Sequence, residues 1–129
     1  MSATSFVSLF VGGVGGAVAP NATSTTPIAG VGTTYAAGTT PVLSGGINLV
    51  NGQTGQTAVA LPASWPFGAP LTVANVGAAA ALVFPGAATH QVNGAAAGAS
   101  YSVGVGKAVT FFYAGQSAAG APQWVAVGA

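Results

Sequence analysis

Apolar and polar positions alternate with a period of two in several short windows of this chain, and helical periodicity is hard to find. Val59 and Leu61 fall on one face of 57–61, which Pro62 stops; Leu71 and Val73 do the same in 71–75. Residues 101–105 alternate cleanly, and Val109, Phe111 and Tyr113 are in phase over 109–113. Windows of this kind predict short, half-buried strands. Between them stand Gly45-Gly46, Asn51-Gly52, Val76-Gly77, Pro85-Gly86, Asn93-Gly94, Gly106-Lys107 and Gly120-Ala-Pro122. Asn-Gly pairs favour the positive φ of tight hairpins. Strands at about 10 to 12 residue spacing predict an all-β fold, an antiparallel β-sandwich or a jelly-roll-like barrel. The Ala78-Ala-Ala-Ala81 run is the one place where a helical turn competes; Gly77 before it and Leu82-Val-Phe-Pro85 after it favour a loop entering a strand.

The first 45 residues read differently. Thr-rich stretches at 21–27 and 33–41 separate short apolar pieces, which predicts an extended N-terminal arm over 1–45 and a β-sandwich domain over 46–129. The apolar segment 5–20 lacks the basic stretch of a signal peptide. It is also too short and too rich in glycine for a membrane-crossing helix, which needs about 20 mainly apolar residues. A structural arm is expected, with Phe6, Leu9 and Phe10 anchoring it to a neighbour.

Charge narrows the chemistry sharply. The 129 residues include no Asp or Glu, and apart from the three tyrosines only Lys107 and His90 carry ionisable side chains. Carboxylate acid/base pairs, carboxylate metal sites and a Ser/His/Asp triad are excluded, and no catalytic residue, metal ligand or cofactor site is expected. Nucleic acid is a poor partner, because phosphate binding needs several cations. Without cysteines there is no disulfide framework or thiolate site. A formal charge of +1 leaves little repulsion between copies, so the composition favours assembly over free diffusion.

The remaining candidates are few. A single histidine is not a zinc site, and His90 reads as a structural residue at a strand end before Asn93-Gly94. Lys107 reads as the wet tip of a hairpin, since a Schiff-base lysine needs a desolvated pocket. No Ser or Thr sits in a G-x-S-x-G elbow, and the glycines at 12–16 and 104–106 lack the context of a phosphate loop. Asn21-Ala-Thr23 fits a glycosylation sequon. Trp65-Pro-Phe67 lies in the Pro-rich stretch 62–70, either as a contact surface or as a plug over one end of the sandwich. Trp124 in the last strand reads as a core or intersubunit packing residue.

From about Thr57 to Val127 the succession Val59-Ala-Leu-Pro62, Leu71-Thr-Val-Ala-Asn75 with Gly77, Ala81-Leu-Val-Phe-Pro85, Val92-Asn-Gly94, Gly106-Lys-Ala-Val-Thr-Phe111 and Gln123-Trp124 resembles a small β-sandwich module of tailed-bacteriophage virion proteins, among them capsid decoration proteins. Two features depart from that pattern. Gln91-Val92 stands where a polar or acidic residue usually precedes the Asn-Gly turn, and Trp65-Pro-Phe67 is an addition. The resemblance implies a non-enzymatic capsid decoration (cement) protein on the outer capsid surface of a virion, bound to the major capsid protein and commonly a homotrimer, without membrane or nucleic-acid partners. Phe6, Leu9, Phe10, Trp65, Phe67 and Trp124 are the residues expected at capsid or subunit interfaces. With almost no charge, attachment is expected to depend little on salt, or on pH between about 4 and 6. A fibre or spike component that stacks host glycans on the Trp65–Phe67 loop is the alternative. A non-viral ice-binding protein lacks support, because Thr shows no regular repeat.

Overall fold

The computed structural model describes residues 26–116, 120 and 122–128. Among them every regular element is a strand. In chain order these are β1 (Ile28–Ala29), β2 (Ile47–Asn51), β3 (Ala58–Ala60), β4 (Pro70–Asn75), β5 (Ala81–Phe84), β6 (Gln91–Val92), β7 (Tyr101–Val103), β8 (Ala108–Gln116) and β9 (Pro122–Gly128). A six-stranded sheet, ordered β1-β2-β4-β8-β9-β6, curls as a half-barrel over a three-stranded sheet ordered β3-β5-β7. The all-β expectation holds. The pairing, however, is mixed rather than antiparallel.

Parallel pairing arises because the first half of the chain winds as a coil. From β2 to β5 successive strands alternate between the two sheets, and between β1 and β2 the chain touches the small sheet at Val42, so each returning strand lies parallel to the one laid down a turn earlier. β2 pairs with β1 at an offset of 22 residues (Ile28 with Val50), and β4 with β2 at 25 (Ile47 with Thr72). In the small sheet β5 pairs with β3 at 24 (Ala58 with Leu82), and Val42 bridges Ala60 in parallel. Only the second half reverts to antiparallel neighbours, β4 with β8, β5 with β7 and β8 with β9, before β6 adds a parallel edge to β9.

Stacking coils this closely needs bare backbone at the corner. Gly30, Gly52 and Gly77 succeed one another at the same 22 and 25 residue offsets. A β-carbon on Gly77 would overlap the backbone of Gly52, and one on Gly52 would overlap the carbonyl of Ala79. The Asn51-Gly52 pair is therefore no hairpin tip. Its glycine serves close approach, and the chain reverses only afterwards, where Gln53 and Gln56 bond backbone to backbone at 3.0 and 2.8 Å. Asn93-Gly94 does form the expected turn, with both residues at positive φ (51° and 73°).

Asn75 locks the corner. Its Oδ1 accepts from the N–H groups of Gly52 (3.2 Å) and Gly77 (3.0 Å), and its Nδ2 donates to the carbonyls of Ala79 (2.8 Å) and Val103 (3.0 Å). One amide thus ties two coils and β7 together with all of its polar atoms used.

Between the sheets the inward positions supply Val50, Leu71, Val73, Val109, Phe111 and Trp124 from one side and Val59, Leu61, Ala81, Val83 and Val103 from the other. β3 departs from simple alternation. Ala58 and Ala60 face away from Val59 yet are equally buried. Residues 31–43 account for this: their backbone bonds Ala58 and Ala60 along the edge of β3, and Tyr35 reaches within 6.3 Å of the Phe84 ring. Part of the segment expected to be an arm is therefore packed onto the barrel, with Leu43 fully buried in the core and β1 extending the large sheet. Residues 1–25 lie outside the described residues.

Candidate interaction surface

The Pro-rich stretch 62–70 brings its two large rings to opposite roles. Trp65 packs against the core and its Nε1 donates to the Ala69 carbonyl at 3.0 Å, which ties the ring to its own loop. Phe67 is 75% exposed. It is held at the rim because its backbone bridges Tyr113 and the next N–H, of Gly68, donates to the Tyr113 carbonyl at 3.0 Å. The Phe67 ring stacks on Tyr113, with centroids 5.2 Å apart and planes 21° from parallel. Tyr113 in turn leans on Trp124 at 5.3 Å.

A bulge shapes this rim. Gln123 pairs with Gly115 but Trp124 with Tyr113, which leaves Ala114 as an extra residue in β8. Gly115, at φ 96°, takes a conformation that suits glycine, and the place where its β-carbon would stand lies 3.5 Å from Phe67 Cε1. Bulges bend a strand and re-aim its side chains. Here the bend carries Tyr113 up under Phe67.

His90 lies on the same side, its ring centroid 6.3 Å from that of Tyr113. The side chain is buried, its Nδ1 has no hydrogen-bond partner, and burial pushes its pKa below the ordinary 6.5. It therefore sits neutral at physiological pH. Lys107 is exposed in the turn between β7 and β8, where its backbone N–H donates to Gly104 at 3.1 Å. The rim offers an apolar ring face flanked by uncharged backbone, and what it can do is adhere.

No family model, curated protein or solved structure matches the chain.

The residues expected at interfaces are thus dispersed. Phe67 is presented to solvent and Trp65 is half-buried beneath the loop, whereas Trp124 is fully enclosed in the chain's own core and offers no surface to a partner. Phe6, Leu9 and Phe10 lie outside the described residues. Several exposed apolar side chains went unremarked in the sequence: Val42 (60%), Ile47 (60%), Val76 (55%), Val105 (54%) and Val127 (57%). Exposure of a lone valine has no sequence signature. It follows from the strand phase, and the phase of β2 was hidden because Asn48 occupies an inward position.

Proposed function

We propose that this chain is a non-enzymatic bacteriophage capsid decoration protein, which attaches to the major capsid protein on the outer surface of the virion and reinforces the shell. The observation that carries this reading is the nearly uncharged, apolar exposed surface: Phe67, Ile47, Val42, Val105 and Val127 stand out, while one lysine is the only permanent side-chain charge. Such a surface suits close packing among many identical neighbours, since no repulsive field accumulates as copies are added. The family resemblance adds the sandwich or jelly-roll-like module and three copies around a junction between capsomers. A buried area of roughly 800 Å² per subunit would make that attachment specific. The sole histidine is buried and neutral, which argues for adhesion over catalysis.

Copy number tests this reading. Quantitative mass spectrometry of purified virions against the major capsid protein should return hundreds of copies; absence from the particle refutes it. A handful of copies would favour a fibre or spike component instead. That second reading draws on the exposed Phe67 ring stacked over Tyr113, a platform on which sugar rings can lie. Under it, Phe67→Ala abolishes cell or glycan binding while the particle stays assembled.

A further inference from the structure

The two sheets treat their outer faces differently. Residues 31–43 lie along the edge of the small sheet, whereas the outer face of the large sheet is exposed or half-exposed across four strands among the described residues. The strand registers fix what that face contains. Ile47, Thr72, Thr110 and Val127 form one row across β2, β4, β8 and β9. Pro70, Phe112 and Val125 form the row on one side of it, and Leu49, Ala74 and Ala108 the row on the other. None of these ten residues is charged, and Ile47 and Val127 are more than half exposed. The two polar side chains satisfy each other, with Thr72 Oγ1 and Thr110 Oγ1 2.9 Å apart.

We infer that this face is where a second copy of the chain packs, sheet against sheet, about a two-fold axis. Three observations select a second copy over other occupants. An uncharged face would leave the charges of a polar partner desolvated without a counterpart, whereas an identical face brings none and leaves no hydroxyl stranded. Extension of the sheet through its edges is poorly supported, because β1 and β6 are two residues long. The area also fits. Ten positions on strands about 4.8 Å apart, in rows about 6.8 Å apart, cover roughly 330 Å². This is somewhat under half of the roughly 800 Å² that one partner gives to a standard interface. A contact of that size is weak in pairs and becomes effective where copies are concentrated. The inference rests on the decoration reading and deepens it, assigning Ile47 and Val127 of the exposed apolar surface to contact between copies. A two-fold contact of this kind would link neighbouring three-copy clusters.

Sedimentation equilibrium of the free full-length protein from 1 µM to about 1 mM tests it, because a contact of somewhat under half the standard area should reach the micromolar to submillimolar range. The expected result is a reversible monomer–dimer equilibrium little changed by 0.5 M salt. Both Ile47→Lys and Val127→Lys should weaken it at least tenfold, while Val105→Lys, in the turn between β7 and β8, leaves it unchanged. Urea midpoints close to wild type establish that the variants are folded. A wild-type chain that stays monomeric throughout overturns the inference, and so does a dimer or trimer indifferent to both face substitutions. Neither outcome bears on copy number in the virion, so the two proposals fail separately.

Discussion

Asn75→Ala removes the clamp at the coil corner and should be among the most damaging single changes in the protein. The side chain is 1% exposed and makes four hydrogen bonds. Its loss strands two backbone donors, on Gly52 and Gly77, and takes a donor from the carbonyls of Ala79 and Val103. Each buried group left unpaired costs about 1 to 3 kcal/mol, and the donors weigh more than carbonyls with a second lone pair. Water entering the vacated space recovers part of this, which leaves about 3 to 5 kcal/mol. Urea unfolding followed by tryptophan fluorescence reads the change. With a slope of about 1 to 1.5 kcal/mol per molar for a chain of this size, the midpoint should fall by about 2 to 5 M. Asn51→Ala is the control, because its Oδ1 accepts only from the exposed Gln53 side chain at 2.6 Å, and it should cost below about 0.5 kcal/mol. Asn75→Asp sharpens the test. The isosteric carboxylate would face two carbonyls, and burial raises its pKa above the unfolded value near 3.9. The folded state then binds more protons than the unfolded one, so the stability of Asn75→Asp relative to Asn75→Ala should rise as pH falls through the folded pKa. An Asn75→Ala variant within about 1 kcal/mol of wild type would refute the assignment of the clamp.

Further outcomes follow from the same geometry. Gly77→Ala should destabilise by about 1 to 3 kcal/mol in the same urea assay, since the new methyl meets the Gly52 backbone, whereas Gly104→Ala, which meets only the tip-ward Lys107 Cγ at 3.4 Å, should be near neutral. His90 is neutral in the fold and its pKa lies below 6.5, so the unfolded chain binds the extra proton first; stability should be constant above about pH 7.5, decline as pH drops through 6.5, and level off below the folded pKa. His90→Gln should abolish this decline when thermal unfolding is followed from above about pH 7.5 downward through 6.5. Attachment to capsids stripped of the protein should change by less than twofold between 0.05 and 0.5 M salt, where a loss of tenfold would contradict apolar docking.

The strands that alternate without interruption were legible in the sequence. The windows containing Val59, Leu71, Val73, Val109 and Phe111 became β3, β4 and β8, and the Gly104–Lys107 and Asn93-Gly94 turns fall where turn chemistry placed them. β2 was not, because Asn48 breaks its apolar phase: it is fully buried and its Nδ2 donates to Gly45 (3.3 Å) and Thr72 (3.2 Å) instead of packing. Parallel order was missed for a related reason. An Asn-Gly pair reads as a hairpin, yet Gly52 is selected by the close approach of the next coil. The usable signal was the recurrence of apolar-x-Gly at Ile28–Gly30 and Val50–Gly52, followed by Asn75–Gly77, where the amide that clamps the corner replaces the apolar residue. Of the candidate surface, Trp65 and Phe67 were legible as a pair of rings in a loop. Their division into a ring packed on the core and an exposed one depends on Tyr113 arriving from β8, which no local pattern encodes.

The coil and the lack of charge bear on each other. A parallel turn places each new strand beside an older one and leaves the outer face of each sheet to be covered by something else. The small sheet borrows residues 31–43 along the edge of β3, whose outward Ala58 and Ala60 are fully buried. The large sheet keeps bulkier outward residues, Ile47, Phe112, Val125 and Val127, on a face that carries no Lys, Arg, Asp or Glu to keep it wet. A protein that worked as a free monomer would gain solubility from even two charges there, at the cost of little stability, because exposed strand positions tolerate lysine. The chain as a whole carries one lysine and no Arg, Asp or Glu, so this face shares the lack of charge of the entire surface and is marked out by its bulk, Ile47, Phe112, Val125 and Val127.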